Sequence, residues 1–185
     1  MLETGRLILR RWEARDLAPF AALNADPEVA AHFVRPLRRA ESDGLVARLR
    51  DRWEAEGIAF GVAERKADGA FLGMVGLARI RFDVPGPFDG CVEVGWRLAR
   101  PHWGQGYATE AARAWLAHGF GVMGLGEIIA FTAVANTRSQ AVMVRLGMRR
   151  DPGRDFEHPA LAAGHPLRRH LVYAIGRAAW REDAG

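Results

Sequence analysis

The chain has 185 residues, 49% of them hydrophobic, with no internal repeat, which fits one globular domain over 1–185 with a sizeable core. No stretch approaches the roughly 18 consecutive apolar residues of a membrane span. The opening MLETGRLILRR, with an early acid and a four-residue apolar run cut by arginines, is unlike a signal peptide, so a cytoplasmic protein without a membrane partner is expected.

A single cysteine, Cys91, excludes an internal disulfide framework and a thiolate metal cluster, and its apolar surroundings read as packing. The net charge is +4, and of the 26 basic residues only Lys66 is a lysine. The arginines are scattered apart from short clusters in RPLRRA, RLGMRR and PLRRH, the pattern of a solvated surface more than of a nucleic-acid stripe. They still favour a small phosphate-bearing ligand or an acidic partner.

In chain order, RLILRRW (6–12) predicts a first strand. Leu17, Phe20, Ala21 and Leu23 give a helical spacing that stops before Asp26-Pro27, and a second helix is predicted from Arg38 to Glu56, ended by Gly57. Two apolar runs, 58–65 and 70–82, flank KADG and predict an antiparallel hairpin. CVEVGWRLA then alternates, so that one face of a strand is apolar and the other carries Glu93 and Arg97. A helix is predicted over 107–121, and EIIAFTAV, apolar on both faces, predicts a central strand. Another helix follows from about Thr137 to Gly147, and LRRHLVYAIGRA closes the chain as a last strand. The order predicts an α/β mixed sheet with helices on both faces.

Between the fourth strand and its helix lies WGQGYA. Gly104 and Gly106 permit a tight curl and remove Cβ atoms that would block a ligand, and the next helix aims its N-terminal amides at that space, an anion site. A Rossmann turn would need Gly or Ala where Thr109 stands and a place in the first βαβ unit, and a P-loop needs a Gly-Lys-Ser/Thr triplet absent here. An isolated Gly-x-Gly is more often an ordinary connection. Downstream, NTRSQAVMVRLGM puts Asn136 at the end of the central strand, so two strand ends frame one cleft.

Four blocks in order, TGRLILRRW with RDL and DPEV, EVGWRLARPHWGQGYATEA, NTRSQAVMVRLGM, and DFEHP with GHPLRRHLVYAI, resemble the GNAT N-acetyltransferases. Within them the likeness is to the RimJ/RimL-like, ribosomal-protein-alanine acetyltransferase branch. The resemblance implies a twisted, mostly antiparallel sheet splayed between the fourth and fifth strands. It implies acetyl-CoA as cosubstrate, no metal, and an amine acceptor, either a protein N-terminus or a small molecule. By the same resemblance the cofactor lies along Leu98 and Ala99 with its pyrophosphate on Trp103, Gly104, Gln105, Gly106, Tyr107 and Ala108. Asn136 would hydrogen-bond the pantetheine, and Arg138 or Arg145 could meet the ribose phosphate. Trp103 departs from the Arg or Gln of the wider family, which puts one side-chain contact to phosphate in doubt.

Acetyl transfer to an amine needs a neutral nucleophile, a donor for the developing oxyanion and a proton for the leaving thiolate. Glu93 on the polar face of the fourth strand is the candidate base, with a structural carboxylate paired to Arg97 or another arginine as the equal alternative. A backbone N–H near Leu98 is the candidate oxyanion donor. Many relatives place a Tyr seven residues after the Asn, where this chain has Met143, which cannot donate a proton. Ser139 is the branch's substitute by resemblance, though it could equally be a helix-cap residue, and Tyr107 and Tyr173 stand in reserve. His158, His165 and His170 have no metal-ligand spacing and read as structural or pocket residues. A non-catalytic acyl-CoA sensor, motivated by Met143, and a basic nucleic-acid module are the alternatives, and neither a monomer nor a homodimer is excluded.

Overall fold

The computed structural model describes residues 1–80, 88 and 90–180. The expected strand residues 81–82 lie outside them. The first strand is shorter than its apolar run: β1 (Leu2–Glu3) pairs back onto β2 (Leu7–Arg10). Next come α1 (Leu17–Ala25), a short α2 (Pro27–Ala30) capped by the Asp26 side chain, and α3 (Arg39–Glu56), which ends on left-handed Gly57. β3 (Phe60–Arg65) and β4 (Phe71–Arg79) form the expected hairpin, and β5 (Val92–Leu98) continues the antiparallel ladder. The remaining elements are α4 (Tyr107–Gly121), β6 (Glu127–Ala133), α5 (Thr137–Arg145), the two-residue strands β7 (Arg149–Arg150) and β8 (Phe156–Glu157), and β9 (Arg169–Gly176).

The sheet runs β1-β2-β3-β4-β5-β6-β9-β7, with β8 on β9. Every pairing is antiparallel except β5 with β6. Val92, Val94 and Leu98 turn into the core, and α4 packs against β4 and β5 through Ala111, Ala112, Trp115 and Leu116, all buried. Glu93, Gly95 and Arg97 take the opposite face of β5, as the alternation requires. A Cβ at Gly95 would meet the Phe60 ring at 2.9 Å, so this glycine makes room for Phe60 against β5. Cys91 is half-buried against a second cluster of Phe88, Ile129, Phe156 and Val172.

Arg10 anchors the first strand to the rest. Its guanidinium donates to both Asp16 oxygens at 2.7 and 2.9 Å and to Glu64 Oε2, and all three side chains are buried. Burial pushes the Asp16 carboxyl up, but hydrogen bonds from Arg10 and from the Glu13 backbone N–H outweigh it and hold the carboxyl below its usual range. A depressed carboxyl stabilises the fold above its unfolded pKa and loses that contribution as pH falls through the folded value. Asp16→Asn is therefore expected to cost about 2 kcal/mol at pH 7 and less in acid. Urea denaturation at both pH values measures it, and an equal loss at both would remove the electrostatic account.

Candidate active site at the opening between β5 and β6

β5 pairs with β4 over its whole length, yet meets β6 at the single register pair Glu93↔Ile129. Beyond that point the strands separate, leaving backbone groups of β5 without a partner strand. Ala99 N–H donates to Leu72 O on the β4 side at 2.9 Å. Alternation along a strand then turns the Leu98 N–H toward the gap. The Leu98 carbonyl accepts from Trp103 Nε1 at 2.8 Å, which ties the strand end to the loop that follows.

That loop is the glycine turn. Gly104 and Gly106 hold φ of 75° and 82°, a left-handed backbone that disfavours any side chain, and Gly106 immediately precedes the first turn of α4. A Cβ at Gly104 would meet no atom within 4 Å, so the requirement there is backbone conformation and not room within the protein. Gln105 braces the turn twice: its Nε2 donates to Pro101 O at 2.8 Å, and its carbonyl accepts from Arg6 Nη1 at 3.0 Å. Trp103 does more than fill a phosphate contact's place. Arg100 and Arg138 lie over its ring at 5.1 and 5.0 Å, so it joins the turn to the start of α5. Tyr107 is buried under Arg6, and Ala108 follows on the open side of α4.

Across the gap, Asn136 begins α5. Its Oδ1 accepts from the Ser139 N–H at 3.2 Å and its Nδ2 donates to Thr132 Oγ1 at 2.9 Å, so the side chain works first as a helix cap. Ser139 then faces the cleft one turn in, while Met143 is fully buried at its back.

Two cavities meet here. The larger, about 690 Å³, runs from Leu98 past Trp103, Gly104, Gly106, Tyr107 and Ala108, with Arg138 and Arg145 on its far wall. The smaller, about 220 Å³, holds Glu93, Phe60, Met143, His158 and His170. His32, Phe33, Trp96, Arg97, Asn136 and Ser139 line both and form the junction. Ala99 and Gln105 support this arrangement through backbone and brace contacts without lining either cavity.

Glu93 is half-buried, and among the described residues its carboxylate has no hydrogen bond or ion pair. Desolvation pushes it up to about 8, only partly opposed by the Arg52 charge. Arg97 is no partner for it: Nη1 donates to Asn24 Oδ1 at 2.6 Å, and the Phe33 ring lies 3.8 Å from the guanidinium carbon. The His158 and His170 rings lie 5.0 Å apart, tilted at 45°, and both are held below the usual imidazole range by burial. His32, held down by burial and by Arg138, has a buried Nδ1 with no hydrogen-bond partner among the described residues.

Two residues named from sequence stand elsewhere. Tyr173 bonds Gln140 and sits under Arg150, lining neither cavity, and His165 caps the local backbone at Leu167. Tyr107 lines the larger cavity alone, not the end that holds Glu93. His32 and Phe33 are the site residues that sequence reasoning missed. Among the described residues no group of three or more His, Cys, Asp or Glu could hold a metal, and no helix is long and apolar enough to cross a membrane.

The chain and its fold have matches among known proteins. A family model described as the acetyltransferase (GNAT) domain matches residues 6–149. YkkB of Bacillus subtilis (strain 168) is 34% identical over 80% of this chain and 84% of its own length, and N-acetyltransferase p20 of Bacillus licheniformis is 28% identical over 84% and 86%. Among solved structures, an acetyltransferase from Agrobacterium tumefaciens str. C58 superposes with a TM-score of 0.75 at 25% identity, covering 94% of this chain and 92% of that one. Two more share the fold. Spermidine N-acetyltransferase from Vibrio cholerae, in complex with CoA and spermine, has a TM-score of 0.74 at 19% identity over 95% and 98%. Mycobacterium smegmatis RimJ, in complex with CoA-disulfide, has a TM-score of 0.71 at 22% over 93% and 86%. With a strand pair that opens after one register pair, a left-handed glycine turn beneath it, and a family match spanning most of its length, the chain belongs to the GNAT acetyltransferases.

Proposed function

We propose that this acetyltransferase is a cytoplasmic, single-domain enzyme of the RimJ/RimL-like branch that uses acetyl-CoA to acetylate a primary amine. The observation that carries the reading is the joined pair of cavities, with turn amides, Arg138 and Arg145 lining one and, in the other, the Glu93 carboxyl, unpartnered among the described residues. The larger cavity suits a long anionic ligand: left-handed glycines expose turn amides, α4 directs its positive end there, and among the described residues neither Arg138 nor Arg145 has a carboxylate partner. The two solved relatives that hold CoA or its disulfide are consistent with that choice of ligand.

Acetyl-CoA supplies the acetyl group as an activated thioester. The pyrophosphate would rest on the amides of Gly104 to Ala108, with Arg138 beside it; the Trp103 N–H is spent on Arg100 O at 3.2 Å. The Leu98 N–H, turned toward the gap, serves the carbonyl oxygen as negative charge builds on it. Glu93 takes the proton of the amine, directly or through one water. Ser139 donates to the departing sulfur, since Met143 has no proton to give. Asn136 keeps one amide hydrogen for the pantetheine beyond the one it spends on Thr132.

Acetyl-CoA at about 100 times its dissociation constant is expected to stabilise the fold by about 2.7 kcal/mol. For a domain of this size that is a rise in Tm of about 5–10 °C. Differential scanning fluorimetry reads it, and no shift at millimolar acetyl-CoA would sink the reading.

A further inference from the structure

Arg97 presents a charge that no carboxylate among the described residues matches. The buried amide of Asn24, fixed by its own bond to Ser42 Oγ at 2.9 Å, takes Nη1 of the guanidinium. Phe33 covers the guanidinium face. What remains is the in-plane edge formed by Nε and Nη2, and Nε is buried without a hydrogen-bond partner among the described residues. No carboxylate of the described residues pairs with Arg97. A buried unsatisfied donor on a cation calls for a partner from outside, and the Nε/Nη2 edge is the one that grips a carboxylate through two parallel hydrogen bonds.

The position of that edge says which ligand supplies the partner. Arg97 lies at the junction of the two cavities, on the same face of β5 as Glu93 and about 13 Å from it along the strand. The junction opens into the smaller cavity, whose volume of about 220 Å³ is below the roughly 300–1,000 Å³ of drug-sized ligand sites and suits only a small molecule. Its other ionisable lining groups, Glu93, His32, His158 and His170, are all pushed toward their neutral forms by burial. Burial lowers Arg97 only to about 10, so it stays cationic at neutral pH and dominates the local field.

We infer that the acceptor is a small amine that also carries a carboxylate, held by the Nε/Nη2 edge of Arg97 while its amino group faces Glu93. Polyamines are then poor acceptors, because a second cation would meet Arg97 instead of an anion site. This specificity rests on the acetyltransferase reading above and adds the acceptor class to it.

The test measures CoA release with an α-amino acid, β-alanine and γ-aminobutyrate, each beside its primary amide, together with spermidine and a C-terminally amidated peptide. At least one carboxylate-bearing amine should exceed its own amide about tenfold or more in kcat/KM. Arg97→Gln should abolish that preference, mainly by raising KM for the acid. The acid-to-amide ratio in the unmodified enzyme needs no variant, so it stands even if Arg97→Gln folds poorly. Equal rates for acid and amide, spermidine or the amidated peptide as the best acceptor, or no turnover with any carboxylate amine would each overturn the inference. If acetyl-CoA still raises the Tm in those cases, the cosubstrate reading survives and only the acceptor class falls. Absence of the thermal shift would overturn both.

Discussion

Glu93→Gln is expected to lower acetyl transfer on the order of 10³-fold while leaving the thermal shift by acetyl-CoA intact, within the range that positioned bases contribute. The substitution keeps the shape of the side chain and removes only its ability to accept a proton as a carboxylate. Desolvation holds this carboxyl at about 8, close to the pKa of an amino terminus, so proton transfer between the two is nearly balanced near neutral pH. Since the ionised form is the active one, the rate should rise with pH up to about 8 and then level, and the glutamine variant should lack that limb. Two acceptors of different amine pKa separate the contributions: the limb of the acceptor moves with the acceptor, and that of Glu93 does not. Ser139→Ala should cost roughly 10- to 100-fold, the worth of one hydrogen bond to a charged group, and should retain the limb. Wild-type turnover in Glu93→Gln would take the base away from this residue.

The elements that frame the cleft were legible because each carries its own local signal. The alternation of CVEVGWRLA put Glu93 and Arg97 on one face of β5, and α4 and α5 start and stop within two residues of their predicted bounds. The apolar EIIAFTAV is central, between β5 and β9. β1 and β7 were not legible, because two residues carry no periodicity and each exists only through the ladder its partner offers. α2 was missed for a similar reason, although Asp26-Pro27 is a cap followed by proline at the first helical position.

Side-chain partnerships were the harder part. Glu93 and Arg97 looked like a pair from their shared face, but four strand residues separate them by about 13 Å, and Asn24 offers Arg97 a nearer oxygen. His32 carries no local pattern at all, and only the docking of the segment after α2 brings it to the junction. In the sequence, Trp103 reads as the absence of a basic residue. In the fold it gathers Arg100 and Arg138 around the turn, so positive charge reaches the loop from neighbouring elements and not from the position itself.

Gly106→Glu is expected to abolish the acetyl-CoA shift altogether, and the argument has two separable parts. Gly106 sits at φ 82°, where any side chain incurs strain of roughly 1–2 kcal/mol. Both Gly106→Ala and Gly106→Glu should therefore begin from a lower Tm than the parent. A Cβ there would approach Arg6 Nη2 at 3.4 Å, a contact the flexible end of a long side chain can accommodate, so the chain should still fold. The two variants part over the ligand. Alanine adds strain without charge and should keep most of the shift, whereas glutamate brings a carboxylate to the amides and to the positive end of α4. That carboxylate competes for the same donors as the pyrophosphate and repels it, so the shift should vanish and CoA release should fall below detection. A full shift in Gly106→Glu would mean that the phosphates do not rest on this turn, and loss of the shift in Gly106→Ala alone would point to strain, not charge, as the reason the position is glycine.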